Sequence, residues 1–228
     1  MRGWWEEISG LVLPVGCAGC GHPRVVLCDR CRSALSGRRS RSVRPTPVPA
    51  GLPPVHAAAV YADEVRAVLL AHKERGALGL AGPLGEALAG AIRAGCGPPD
   101  GRGLLIVPVP SARRAVAARG HDPTRRIAVA AARELRRERR PARVLALLRQ
   151  RRAVADQAGL TGPQRRANLA GALMVAGGSA RLLRAAPVVL VDDLMTTGAS
   201  LAAAAEAVTE AGVRVAAAAV VAGPLGAC

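Results

Sequence analysis

The sequence predicts an open, mainly parallel α/β sheet flanked by helices, preceded by a small cysteine module. Three observations carry this. Val188 to Val191 and Leu104 to Val107 are unbroken β-branched and leucine-rich runs, of the length expected for strands buried on both faces. Helical stretches alternate with these strands, as crossover connections in a parallel sheet require. Polar residues suited to holding a ligand gather just past the strand ends, where open parallel sheets keep their sites. A length of 228 residues suits one substantial domain with an appendage.

Half of the residues are hydrophobic, yet there is no Phe and only one Tyr, so the core must be built from Ala, Val and Leu. No apolar run reaches the ~20 residues needed to span a bilayer. No secretory arrangement opens the chain, and the expected location is cytoplasmic. The net charge of +16 suggests polyanionic partners. Lys73 is the single lysine among 32 basic residues, a bias that resembles the drift of a GC-rich genome. A lysine that survives such drift marks a place where a compact ammonium is required, unless it survives by chance.

In chain order, Trp4, Trp5, Ile8, Leu11 and Leu13 have the spacing of a short amphipathic helix. Cys17-Ala-Gly-Cys20 and Cys28-Asp-Arg-Cys31 follow, two knuckles close together. Each supplies two thiolates from a tight turn, the pattern of a structural tetrahedral zinc site within residues 1–36. Two disulfides or redox pairs are the competing reading, less suited to a chain without an export signal. Four thiolates close the coordination shell, so the module is expected to be structural. Cys96 and Cys228 lack comparable partners. Residues 37–54, rich in Arg, Ser and Pro, read as a linker.

The main domain is expected over 55–228. His56 to Tyr61 reads as a strand, and Asp63 as the cap of a helix running through Val65, Leu69 and Leu70 to Lys73 and Arg75, stopped at Gly76. Leu78 to Arg93 is a second helical stretch. His56 and His72 have no neighbour at metal spacing and read as structural or solvated. The strand from Leu104 runs into a rigid turn with Ser111 and the paired guanidiniums of Arg113 and Arg114, suited to an anion. Asp122 is expected to cap a helix that starts at Pro123 and runs to Arg140. Arg143 to Leu148 reads as a strand. The polar stretch after it, with Gln157, Arg165, Arg166 and Asn168, is long enough for a lid. Sixteen basic and four acidic residues lie between Arg113 and Arg166, so the charge is concentrated there.

The richest stretch is Pro187 to Ser200, with Asp192 and Asp193 at the strand tip and Met195-Thr196-Thr197-Gly198 turning into a helix near Ala199. Amides at a helix start, two hydroxyls and a glycine suit a phosphate. The carboxylates suit vicinal hydroxyls or, through water, a magnesium ion. Together they read as a sugar-phosphate site; the bland alternative is an ordinary capped helix with two solvated acids. Val213 to Val221 is expected to be the last strand.

The Asp192 to Ser200 segment resembles the phosphoribosyl pyrophosphate (PRPP) loop of type I phosphoribosyltransferases. Taken with the four cysteines, the Tyr61 to Lys73 segment, Pro108 to Arg114, Arg119-Gly120 and the Gln157 to Asn168 stretch, nearly the whole chain resembles the ComF (amidophosphoribosyltransferase-like) family. The resemblance implies a type I phosphoribosyltransferase fold and a transferase using PRPP, or a nucleotide containing ribose 5-phosphate, with zinc and magnesium. Asp192 and Asp193 would hold the ribose, Thr196, Thr197, Gly198, Ala199 and Ser200 the 5-phosphate, and Ser111, Arg113, Arg114 and Arg119 the pyrophosphate side. Lys73, Arg165 and Arg166 would exclude water. It equally implies the alternative of a competence protein in DNA uptake, binding single-stranded DNA and working with a helicase-like ATPase. Where the family usually has Arg-Gly-Phe-Asn-Gln, this chain has Arg119-Gly120-His121-Asp122-Pro123.

Overall fold

A computed structural model describes residues 16–36, 40–98, 101–151 and 171–224. Six strands form the main sheet: β1 (Arg41–Val43), β2 (Val55–Val60), β3 (Leu104–Pro108), β4 (Ala142–Val144), β7 (Val188–Leu194) and β8 (Val215–Gly223). Their order is β1-β2-β8-β7-β3-β4, with β1 antiparallel at the edge and every other pairing parallel. A separate two-stranded antiparallel ribbon joins β5 (Leu148–Gln150) to β6 (Leu173–Val175).

The absence of bulky aromatics shows in how the layers meet. Alternate residues of each central strand face opposite sides. Leu104, Ile106, Val189 and Val191 join one core with α2 (Asp63–Glu74), α3 (Ala81–Cys96) and α5 (Pro123–Arg137). Leu105, Val107, Leu190 and Val220 join the other with α7 (Ala199–Glu210) and the ribbon. Alanine and glycine let the helices close in: a Cβ on Gly85 of α3 would lie 2.4 Å from that of Ala130 on α5. Small side chains thus trade bulk for close approach, and the sheet is covered on both faces.

The cysteine module is built into this core. Its helix α1 (Asp29–Leu35) inserts the buried Leu35 among α2 and α3 residues, and Arg30 reaches Glu64 at 2.6 Å. The stretch expected as a linker supplies β1, and its Pro45 and Pro49 are buried. Both prolines lie past the end of β1, where no ladder amide is required.

Several boundaries differ from expectation. Ala62, not Asp63, occupies the N-cap of α2 without a side-chain cap, and Asp63 opens the helix at a positive φ of 40°. Arg113–Arg119 forms a helix, α4, and contributes no buried residue. As expected, Asp122 caps α5, accepting from the Arg125 amide at 3.0 Å, with Pro123 first. That helix stops at Arg137, and the buried Arg140 donates to the Gly97 carbonyl at 2.7 Å, tying the ends of α5 and α3 together. The expected strand 143–148 divides between β4 and β5. A short helix, α6 (Ala180–Leu183), precedes β7. Among the described residues no helix is long and apolar enough to cross a membrane.

Candidate functional site

Strand order locates the site. From β3 the chain moves outward to β4, whereas from β7 it moves the other way to β8. The strand order therefore reverses between β3 and β7, and the crevice beyond their carboxyl ends is the switch point at which open sheets hold ligands. The Asp192-Asp193 pair and the Pro108 to Arg114 turn flank that crevice. The Val109 amide donates to the Val191 carbonyl at 2.9 Å, joining the two loops at their base.

The acid pair is largely withdrawn from water. Asp193 is 5 % exposed, and one oxygen accepts from the Lys73 ammonium at 2.7 Å. Asp192 is half-buried. Its Oδ1 accepts from the Asp193 amide at 2.8 Å and lies 3.5 Å from the Thr124 hydroxyl. Burial and the adjacent Asp193 charge push the Asp192 carboxyl well above the usual carboxylate range, against the pull of Lys73. For Lys73, burial works against the charge, but Asp193 and then Asp192 outweigh it and raise the pKa. The only lysine in the chain therefore lies against the acid pair.

The loop that follows is anchored from beneath. Met195 is buried and donates its amide to the Ala222 carbonyl at 3.0 Å. The Ala199 amide donates to the Thr197 hydroxyl at 3.4 Å, and Gly198 is the N-cap of α7 at φ 74°. A side chain there is disfavoured twice, by that left-handed φ and by Leu52 and Pro45, which a Cβ would meet at 3.1 and 3.2 Å. A cleft of about 20 Å³ runs along Asp192 and Leu194 to Leu201, including Thr196, Ala199 and Ser200. Larger hollows of about 500 and 620 Å³ lie on the outer faces of α3–α5 and of α7. Neither is lined by Asp192 or Asp193.

Of the other expected residues, Ser111 is half-buried, while Arg113 and Arg114 open α4 exposed to solvent. Arg119 is turned instead to Glu74, which it grips with Nε and Nη2 at 2.8 Å each. Gln157, Arg165, Arg166 and Asn168 lie outside the described residues. His121 lies with Nδ1 3.0 Å from the Arg119 carbonyl and Nε2 3.3 Å from that of His72. With Asp122 used as a cap, His121 and Asp122 both serve to hold backbone. Thr124 was not foreseen; the signal was available, since a helix capped at Asp122 begins beside the strand ends.

The four cysteine sulfurs of residues 17, 20, 28 and 31 all lie within 4.8 Å of one another and fit a metal such as zinc. Burial pushes the Cys17 thiol up, but hydrogen bonding by the backbone of Cys20, Cys28 and Gly19 brings it down to about 6, favouring a thiolate. Burial pushes Cys31 up instead. Magnesium fares differently. No other group of three or more potential ligands occurs among the described residues, and the acid pair already has an ammonium, an amide and a hydroxyl as neighbours. Nothing among the described residues therefore supports a resident magnesium ion at the acid pair. Compared with models of known families and with curated proteins, the chain matches none.

Proposed function

We propose that this chain is a phosphoribosyltransferase-type protein of the ComF kind, which binds PRPP and transfers its phosphoribosyl group to an acceptor. The observation that carries the reading is the meeting, at the strand-order reversal, of a buried acid pair with a glycine-capped helix start. The helix start and the loop before it suit the 5-phosphate, through Thr196, Thr197 and Ser200. Asp192 and Asp193 suit the ribose diol. Arg113 and Arg114 are near enough in sequence to the β3 end to meet the departing pyrophosphate. As pyrophosphate leaves, positive charge develops at the anomeric carbon. The work is then one of positioning and charge stabilisation, with no protein nucleophile. Magnesium enters this reading with the pyrophosphate it chelates. Replacing both aspartates with Asn is expected to abolish thermal stabilisation by magnesium-PRPP; undiminished stabilisation would sink the assignment. Pyrophosphate release measured across a panel of bases and amines then identifies the acceptor.

A second reading is favoured by the outer face of α5, where Arg125, Arg126, Arg133 and Arg137 are all exposed. On it, this face binds single-stranded DNA during uptake, alongside a helicase-like ATPase. Binding that weakens steeply with salt and survives the double Asn variant supports this reading over the first.

A further inference from the structure

We infer that the Lys73 ammonium is the resident cation of the acid pair, so that a ribosyl diol is held there without a resident divalent metal. The inference rests on the sugar-phosphate reading above and concerns what balances the charge at that site.

Asp193 is 5 % exposed, and a carboxylate so withdrawn requires a fixed partner. Lys73 provides one at 2.7 Å, from the last turn of α2. That turn is held on both sides. The His72 carbonyl faces His121 Nε2 at 3.3 Å, the two imidazoles meet edge to face with centroids 5.9 Å apart, and Glu74 is gripped bidentately by Arg119. The ammonium is therefore carried on a positioned backbone rather than on a loose surface turn. His121 and Arg119 act as positioning residues for it.

The kind of cation matters too. An arginine fork matches both oxygens of a carboxylate, and would occupy Asp193 entirely. A lysine is a point charge; it contacts Oδ2 alone and does not engage both oxygens as an arginine fork would. This explains why a chain that uses arginine at its 31 other basic positions keeps a lysine at this one.

The test uses the full-length, zinc-loaded protein with ribose 5-phosphate, which carries no pyrophosphate to bring in metal, and with Mn²⁺ as a spectroscopic probe. Wild type is expected to bind ribose 5-phosphate equally with and without magnesium, and to show no Mn²⁺ site dependent on Asp193. Lys73→Met should lose about tenfold or more in affinity in magnesium-free buffer, regain part of it when magnesium is added, and acquire a Mn²⁺ signal that a further Asp193→Asn change removes. Lys73→Arg keeps the charge and tests shape: it should exclude Mn²⁺ yet bind the sugar phosphate more weakly. Strict magnesium dependence in the wild type, or Lys73→Met binding as tightly as wild type without metal, would overturn the inference. Wild type failing to bind ribose 5-phosphate at all would remove the sugar-phosphate reading. The Mn²⁺ comparison would still decide whether Lys73 keeps metal from Asp193, and a Mn²⁺ site at Asp193 in the wild type would refute it. Should Lys73→Met fold poorly, Lys73→Arg carries the comparison.

Discussion

Two clusters of partly buried polar groups, the four cysteines and the acid pair, are assembled in opposite ways. The cysteine cluster draws all four ligands from one stretch of fifteen residues, Cys17 to Cys31, so its geometry follows from two local turns. The acid pair takes its counter-charge from Lys73, 120 residues earlier in the chain, and its hydroxyl neighbour from Thr124 on another helix. A local cluster can be recognised from spacing alone. A distributed one exists only once α2, α5 and β7 have docked, and it should fail in a correspondingly distributed way.

The largest expected effect tests the local cluster. Cys31→Ser removes a fully buried thiol within the helix that inserts Leu35 into the main core, and should lower stability by about 3–5 kcal/mol with loss of bound zinc. Chelation of the wild type should reproduce this in a melting curve; a module that melts alone, leaving the main transition unmoved, would show it to be an independent appendage. Next comes the distributed cluster. Lys73→Met leaves Asp193 without its partner and should cost about 2–3 kcal/mol, less than a fully buried pair because the Lys73 side chain is 33 % exposed. Asp193→Asn in the same background should restore at least half of that, as read from a double-mutant cycle in urea.

Smaller effects sharpen the contrast. Gly198→Ala should cost about 1–2 kcal/mol, from the left-handed φ and from contact with Leu52. Adding Leu52→Ala should relieve only the contact part, so a full recovery would mean that the backbone conformation is free to change. Arg119→Ala removes a partly exposed ion pair and is expected to change stability by about 0.5 kcal/mol. Its larger effect should fall on ribose 5-phosphate affinity, through the end of α2. The least is a pH effect. Burial lowers the His56 pKa, and its Nδ1 is buried without a hydrogen-bond partner. The unfolded chain therefore takes up a proton more readily than the folded one. Its contribution is complete above the ordinary imidazole pKa of about 6.5 and is lost as pH falls through it. His56→Leu should flatten the fall in urea midpoint between neutral and mildly acidic pH; an unchanged slope would assign that fall to other groups.

Much of the site was legible because it is carried by contiguous residues. The run from Val188 to Val191 marked a buried strand; it continues through Asp192 and Asp193 to Leu194, which sets the acid pair and the Thr196 to Gly198 turn together at its carboxyl end. The Asp122-Pro123 pair marked the start of α5 for the equally local reason that a side-chain oxygen and a missing N–H both suit a first turn. Other features left no such trace. Arg119 reads as an anion ligand by itself, and becomes a partner of Glu74 only because α2 and α4 end side by side. Residues 41–43 have the composition of a linker, yet pair because the free edge of β2 lies beside them.

By itself, then, the sequence determined the alternation of strands and helices, the spacing of four thiols and the order of groups along the β7 loop. These are properties of neighbours in the chain, governed by turn geometry, side-chain periodicity and covalent distance. Tertiary structure alone decided that the one lysine faces Asp193, that Pro45 and Leu52 close over Gly198, and that the strand order reverses between β3 and β7. Such choices depend on which surfaces pack, and packing joins residues whose separation along the chain carries no record of their meeting.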